Sequence, residues 1–487
     1  MNPPSSPNVL LITVDHWPGA LLGCAGHPVI QTPTLDALAA DGVRFPNAYS
    51  PCPVCVPSRR SLHTGLTPRS HGDRIMQSLP LPDVPTLAQT FRNADYQTFA
   101  VGKIHATTPP RHRIGFDDIL LCEEGRSVGG ELDDYELFLG DSGLAGEQFT
   151  HGMSNNGYTW RPWHLPEKLH VTNWATRAMA RQIQRKDPTR PAFYYLSYTH
   201  PHPPLAPLAC YLDLYRDVPI DAPFVGEWAK DLTTLPKALL GHGEVPDWQR
   251  LPDRIAAIRR AFYALCTHID HQIRLVLGAL RQCGLLKNTI ILFTSDHGDL
   301  LGNHGLWRKR AMYEGSANIP MILAGVPGDR HIPPGSTDRR LAGLQDIMPT
   351  LLELAGIPIP SHVEGLPLVG EARRRYFYSE DREGATASRM IRNDRYKLIY
   401  YAEGNRRQLF DLQADPNECS DLAGEPSLRE CLDLLTDQLK KELYGSDRQW
   451  LDQAGDLCGL PPESPFQPLH RLLNGQRGPH WPPAQCR

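Results

Sequence analysis

Residues 8–14, NVLLITV, form a short run of apolar side chains that ends on Asp15. A continuous apolar run of that length, without alternation, predicts a strand buried on both faces of a parallel sheet. The runs QTFAV (97–101), FYYLSYTH (193–200), NTIILFTSDHG (288–298) and PMILAG (320–325) repeat the signature. Helical spacing intervenes over Thr34–Asp41, Pro85–Asn93, Val171–Ile183, Ile255–Gln282 and 346–356, the last two closed by glycine. Strands alternating with helices predict a doubly wound α/β sheet. Residues 106–165 are loop-rich and weakly patterned, and 204–252 form a proline-rich excursion.

After about residue 371 the texture changes. RYFYS, ASRMIRN, YKLIYYA and QLFDL read as short antiparallel strands, followed by a helix over Pro426–Tyr444 and a proline-rich tail with GLPPESPF and GPHWPPA. The expected organisation is a catalytic α/β domain over 1–370 and a smaller α+β subdomain over 371–487. The chain has 487 residues, 41% hydrophobic and 21% charged, which fits a globular protein and excludes disordered or fibrous classes. A net charge of -4 gives no electrostatic case for nucleic acid or a membrane surface. No run approaches the roughly 20 apolar residues that span a bilayer. The start of the chain lacks a basic segment and a cleavage site, so a cytoplasmic location is expected; a periplasmic or secreted chain trimmed of its leader would look identical. Eleven cysteines, an odd number scattered along a large chain, suggest mostly reduced thiols.

Ligands of open α/β sheets sit outside the carboxyl ends of the strands. Two strands end there in metal-competent pairs, Asp15-His16 and Asp296-His297. A single Asp after a strand can equally cap the next turn, and two such pairs favour a metal. The third element is PCPVCVPSRRSLHTG (51–65). Pro57 suits the first turn of a helix, which puts Cys55 at a helix N-terminus, where free N–H groups favour an anion. Arg59, one turn on, offers a planar fork to an oxyanion. Cys52 completes a C-x-x-C spacing, but a redox pair would carry its second cysteine into the helix, and a zinc clip would need a second pair. A small buried thiol is the plainer reading of Cys52.

Cys55-Val56-Pro57-Ser58-Arg59, followed by Leu62, Thr64 and Gly65, resembles the C-x-P-S-R-x-x-x-x-T-G signature of type I, formylglycine-dependent sulfatases. PNVLLITVD, Gly102-Lys103-Ile104-His105, Pro201-His202-Pro203-Pro204, Thr294-Ser295-Asp296-His297-Gly298, Lys309 and LFDLQADPNE (409–418) match family landmarks in order. The resemblance implies an alkaline-phosphatase-like α/β sandwich with a central, mostly parallel sheet. It implies a hydrolase of sulfuric esters (aryl, choline-type or saccharide sulfate) whose nucleophile is a hydrated formylglycine made from Cys55 by a formylglycine-generating enzyme. By the same resemblance, Asp15, Asp296, His297 and modified Cys55 hold one divalent metal. Lys309 and His202 bind sulfate and protonate the leaving alcohol, and His105, helped by Lys103 and Arg59, discharges the intermediate.

His16 stands where many of these sulfatases carry a second aspartate, so its ligation is left open. Calcium is the metal expected first, with manganese or zinc favoured by imidazole. The alternative is a phosphonate monoester or phosphodiester hydrolase on the same scaffold. Those enzymes tend to replace the Lys-x-His pair that Lys103 and His105 retain here. His200, His304, Trp160, Trp163 and Trp307 are candidate pocket residues, each equally open to a packing role. The Arg373–Arg375 run reads as a solvated domain junction. A homo-oligomer is left open.

Overall fold

A computed structural model describes residues 6–107, 109, 111–124, 132–231, 235–236, 238–239, 250–326 and 331–461. The last part of the expected proline-rich tail, and parts of the excursion over 204–252, lie outside those residues. Strands β1 (Asn8–Val14), β2 (Val43–Arg44), β3 (Ala48–Tyr49), β4 (Gln97–Gly102), β5 (Asp118–Leu121), β6 (Ala192–Ser197), β7 (Thr289–Ser295), β8 (Met321–Ala324), β9 (Ser336–Thr337) and β10 (Ala342–Gly343) precede the change of texture. Eight of them form one sheet in the order β5-β4-β6-β1-β7-β8-β2-β9, in which β8 alone runs against its neighbours. β3 and β10 pair separately.

β1 lies centrally between β6 and β7, with Leu10 opposite Tyr194 and Ile291. Its side chains alternate between two cores, because successive Cβ atoms leave opposite faces of a strand. Leu10, Ile12 and Val14 pack with helices Pro33–Ala40, Val171–Arg185 and Pro252–Gln282. Val9 and Leu11 pack with helices Cys55–Thr64, Leu87–Asn93 and Ile347–Leu354. Burial on both faces is the reason the strand reads as a continuous apolar run. Two elements break the expectation of an unpatterned stretch over 106–165, namely the edge strand β5 and the helix Asp134–Asp141. An edge strand of four residues, DILL, carries too little periodicity to show in the sequence. The helix is announced only by a capping box, Asp133 to Glu136.

The second unit is a four-stranded antiparallel meander, β11 (Phe377–Asp381), β12 (Ser388–Arg392), β13 (Tyr396–Tyr401) and β14 (Arg406–Asp411). One face packs Met390, Ile399 and Phe410 onto Met312 and Tyr313 of the large unit. The other packs Ile391, Leu398 and Leu409 under Leu435 and Leu439 of the helix Arg429–Glu442. A buried ionic knot joins the two units. Arg74 Nη1 donates to Asp447 Oδ2 at 2.8 Å and to Glu380 Oε2 at 3.0 Å, and Arg389 Nη2 lies 2.9 Å from Asp447 Oδ2. Asp447 is fully buried, so removing it takes from Arg389 its bidentate carboxylate and leaves Arg74 with Glu380 and Glu383. Asp447→Ala is expected to cost about 3–5 kcal/mol, read as a lowered urea midpoint, with the far-UV spectrum of the folded protein retained.

Candidate active site

The carboxyl ends of β1, β4, β6 and β7 converge on one buried cluster. Gly102 closes β4 at φ 103°, and a Cβ there would stand 1.9 Å from the Ser197 carbonyl oxygen of β6. Only glycine allows this approach, which delivers the next residue, Lys103, into the interior. Lys103 Nζ donates to Asp15 Oδ2 at 2.5 Å and to Glu124 Oε1 at 2.7 Å. Arg59, also buried, donates through Nε to Asp296 Oδ2 at 2.8 Å and places Nη2 3.5 Å from Asp15 Oδ2. Its Nη1 is anchored on the Lys103 carbonyl and on Ser197 Oγ, both at 3.0 Å.

Cys55 opens its helix after Val54 and is fully buried. Its Sγ lies 3.2 Å from His297 Nε2 and 3.7 Å from Asp15 Oδ1, and it accepts from Lys309 Nζ at 2.9 Å. Lys309 Nζ also donates to His16 Nε2 at 2.7 Å and reaches His202 Nε2 at 3.5 Å. Asp15, His16, Cys55 and His297 form a buried four-donor group whose ligand atoms lie within 4.8 Å of one another. Asp15, Glu124 and His202 form a second, overlapping group.

The second nitrogen of each imidazole decides what the first can do. His16 Nδ1 sits 2.7 Å from Asp299 Oδ2, which fixes the proton there and leaves the Nε2 lone pair facing the cluster. Tyr158 in turn donates its hydroxyl to Asp299. His297 Nδ1 is 2.9 Å from the Gly298 carbonyl, so its Nε2 likewise faces inward. His16 therefore has the orientation of a ligand held by a carboxylate behind it. The donor set fits a divalent ion, and its two imidazoles suit manganese or zinc better than calcium. Asp296 stands just outside the four-donor group, with one oxygen on Arg59 and the other accepting the His297 backbone N–H at 2.9 Å. Its Oδ1 lies 3.7 Å from His297 Nε2.

Burial would raise the Asp15 carboxyl, but the cations Lys103, Arg59 and Lys309 outweigh it and hold the group well below its usual range. Burial and Asp15 push the Cys55 thiol up, and Lys309, Lys103 and His297 together bring it below an ordinary thiol. His16 and His202 are pushed well down, chiefly by burial and with Lys309 adding to it, so both are neutral. His202 Nδ1 lies 2.6 Å from the Pro203 carbonyl, which places its proton there and turns the Nε2 lone pair toward Lys309.

The structure thus brings together Asp15, His16, Cys55, Arg59, Lys103, His202, Asp296, His297 and Lys309. His105 sits two residues past Lys103, with its Nδ1 2.9 Å from Glu123 Oε2. Sequence reasoning missed Glu123 and Glu124, which follow the unrecognised edge strand β5. It also missed Asp299, whose only signal is its place in the same DHGD loop as the metal-competent pair. His304 packs between Phe224 and Trp228 and Trp307 against Tyr158, both as packing residues. Cys52 is a buried thiol near the Arg74 carbonyl, and Arg373 and Arg374 pair with Asp338 and Asp346.

A sulfatase family model matches residues 7–357, and a model of the N-sulphoglucosamine sulphohydrolase C-terminal region matches residues 302–445. An arylsulfatase of Clostridium perfringens (strain 13 / Type A) is 34% identical, over 93% of this chain and 98% of its own length. A choline-sulfatase of Rhizobium meliloti (strain 1021) is 30% identical, over 86% of this chain and 83% of its own. Among solved structures, the phosphonate monoester hydrolase of Agrobacterium radiobacter superposes with a TM-score of 0.76 at 23% identity, covering 94% of this chain and 100% of that one. The chain belongs to the sulfatase family, in the alkaline-phosphatase-like superfamily, and is a sulfuric ester hydrolase.

Removing the carboxylate behind His16 frees its ring and its tautomer. Asp299→Ala is expected to weaken divalent-ion binding by about ten- to a hundredfold, measured by competition with a chelating dye. A second expectation concerns acid stability. His63, beneath Arg59, is buried with neither ring nitrogen hydrogen-bonded among the described residues, and burial and Arg59 hold it down at about 3. Its folded value lies below the unfolded one, so its contribution is complete above about pH 6.5 and is lost as pH falls toward 3. Relative to the parent, His63→Phe is expected to gain about 1.4 kcal/mol per pH unit below pH 6.5 in urea titrations. A pH-independent difference would show that His63 carries no such linkage.

Proposed function

We propose that the protein hydrolyses sulfate monoesters through a hydrated formylglycine made from Cys55, with one divalent ion held by Asp15, His16 and His297 and approached by Asp296. The observation that carries this reading is the position of Cys55 Sγ, 3.2 Å from His297 Nε2 and 2.9 Å from Lys309 Nζ, at a helix N-terminus. In the mature residue the sulfur position is taken by the carbon-bound hydroxyls of the aldehyde hydrate. The ion, when bound, supplies positive charge for the nucleophile's oxygen and for a sulfate oxygen.

One hydroxyl of the hydrate passes its proton to Asp15 Oδ1, which lies 3.7 Å from the residue-55 sulfur position, and attacks the ester sulfur as the bond from sulfur to the alcohol oxygen breaks. The departing oxygen needs a proton, and the Lys309–His202 pair is placed to give it. Lys309 holds the mobile proton, because the His202 ring keeps its own on Nδ1 and offers Nε2 as an acceptor. The sulfate then sits on residue 55 beside a second hydroxyl. His105, set by Glu123, takes the proton of that hydroxyl, its electrons close the aldehyde, and inorganic sulfate leaves. Arg59 and Lys103 hold the Asp296 and Asp15 carboxylates aimed at the cluster. A thiol or a serine lacks the second hydroxyl and could not discharge the intermediate in this way.

A second reading, a phosphonate monoester or phosphodiester hydrolase, draws support from the fold likeness to phosphonate monoester hydrolase. The pairing of Lys103 with Asp15 and Glu124, and of His105 with Glu123, favours the sulfatase reading, because it retains the Lys-x-His pair in engaged positions.

Protein produced with a formylglycine-generating enzyme is expected to yield a Cys55 peptide in which one oxygen replaces sulfur and two hydrogens, read by mass spectrometry. An intact thiol there, beside a matured control sulfatase, would sink the proposed nucleophile. In steady-state assays 4-nitrophenyl sulfate is expected to be turned over faster than the matching phosphodiester and phosphonate, and Cys55→Ala to abolish turnover. Activity removed by chelation is expected to return with manganese or zinc more fully than with calcium.

A further inference from the structure

A cavity of about 910 Å³ lies where the large unit meets the antiparallel subdomain, a volume at the upper end of small-molecule sites. Arg339, Arg340, Arg373, Arg374 and Arg392 line it, together with Asp338 and Asp394. None of the residues gathered around Cys55 is on its walls. Strand β11 separates the two places. Arg310, the neighbour of Lys309, holds Asp381 at one end of β11, whereas Arg392 stands opposite Phe377 at the other. Four residues of strand span about 14 Å.

Much of the positive charge on the walls is not spent within the protein. Arg340 grips Asp338 through Nε at 2.7 Å and Nη2 at 2.6 Å, and Arg373 reaches the same carboxylate only at 3.5 Å. Arg374 gives Nη2 to Asp346, and its buried Nη1 has no hydrogen-bond partner among the described residues. Arg392 is 2% exposed, and its three hydrogen bonds go to neutral acceptors, the Asn393 and Asp394 carbonyls and the Tyr49 hydroxyl. It has no ion pair among the described residues. Glu314, beyond the Tyr49 hydroxyl, is paired with Lys397 at 2.6 Å. A buried cation short of a counter-ion is costly, and an anion in the cavity would supply one. Five guanidinium groups are set against three carboxylates, those of Asp338, Asp346 and Asp394, on a chain whose net charge is -4. The attraction for an anion is therefore local to this cavity.

We propose that the cavity is a non-catalytic binding site for a sulfated oligosaccharide, held away from the nucleophile. Sulfate as the anionic group rests on the sulfatase reading, whereas the charge and the volume stand without it. The arginines come from three separate segments, so the positive charge is spread around the walls rather than aimed at one point. A ligand with several spaced sulfates can give each a planar fork, while a single tetrahedral oxyanion would leave most of the forks unused. The Asn47 and Gln413 amides offer partners for sugar hydroxyls. Among the described residues no aromatic side chain lines the cavity to stack an aryl group or a nucleobase.

The test is calorimetry at fixed, low ionic strength on the full-length Cys55→Ala protein, in which the proposed nucleophile is absent. The probes are fully O-sulfated maltotetraose, unsulfated maltotetraose, inorganic sulfate and tripolyphosphate. The sulfated tetrasaccharide is expected to bind about a hundredfold more tightly than inorganic sulfate, through several linked contacts. Arg339→Gln and Arg373→Gln, both at exposed positions, are each expected to weaken it about threefold. Asp394→Asn is expected to tighten it by about the same factor, a gain that a misfolded chain could not give. Arg181→Gln removes the same charge from an exposed position on the helix Val171–Arg185, and binding is expected to stay as in the parent.

The inference is overturned if the three cavity variants bind as the parent does, or if unsulfated maltotetraose binds equally well. It is equally overturned if inorganic sulfate or tripolyphosphate matches the sulfated tetrasaccharide. Should the matured protein hydrolyse no sulfate ester, the sulfatase reading fails, and the binding result still judges the cavity. Hydrolysis of sulfate esters without such binding rejects the cavity alone.

Discussion

Asp15 is held by two cations, Lys103 at 2.5 Å and Arg59 at 3.5 Å, in a place no water reaches. A lone carboxylate there would be neutralised by its own desolvation, and either cation alone would be as costly. Each charge is tolerable only because the others are present, so the carboxylates of Asp15, Asp296 and Glu124 and the cations of Arg59 and Lys103 form one interdependent unit. The fold meets that demand by ending four parallel strands side by side. Gly102 permits the close approach of β4 to β6, and β1 and β7 run in step from Asn8 opposite Thr289 to Val14 opposite Ser295. A one-residue slip in either pairing would turn Asp15 or Asp296 away from the cluster.

The imidazoles form a second tier governed by the same low dielectric. His16 and His202 are kept neutral by burial, and each has one nitrogen assigned to a fixed acceptor, Asp299 or the Pro203 carbonyl. That assignment turns both Nε2 atoms toward Lys309 and the nucleophile position. His297 differs. Asp296 and Cys55 oppose the effect of burial and raise it. One cluster thereby offers two lone pairs, a mobile ammonium proton and a depressed thiol within a few ångströms. Serving an ion, a sulfuryl group and a leaving alcohol in turn requires that combination.

The antiparallel subdomain contributes to this site by holding rather than by reacting. Its inner face covers Met312 and Tyr313, three and four residues after Lys309, and Arg310 pairs with Asp381 of β11 at 2.8 Å. The loop that carries Lys309 is therefore held against the subdomain just after that residue. The knot of Arg74, Arg389 and Asp447 makes that clamp part of the folded core.

Residue order alone was enough to locate most of the cluster, because its parts are local patterns. Apolar runs buried on both faces end in Asp15-His16 and Asp296-His297, and Cys55, Pro57 and Arg59 keep fixed offsets on one helix. The parallel sheet and the later change to short antiparallel strands were legible for the same reason. Tertiary structure alone decided the partners. Asp299 lies 283 positions from His16 along the chain, yet it sets the tautomer of that ring. Glu123 and Glu124 follow a strand of four residues whose period is too short to read, and they settle how His105 and Lys103 are held. Periodicity and spacing are written in one dimension, whereas the balance of buried charge and the filling of a pocket depend on which distant segments meet.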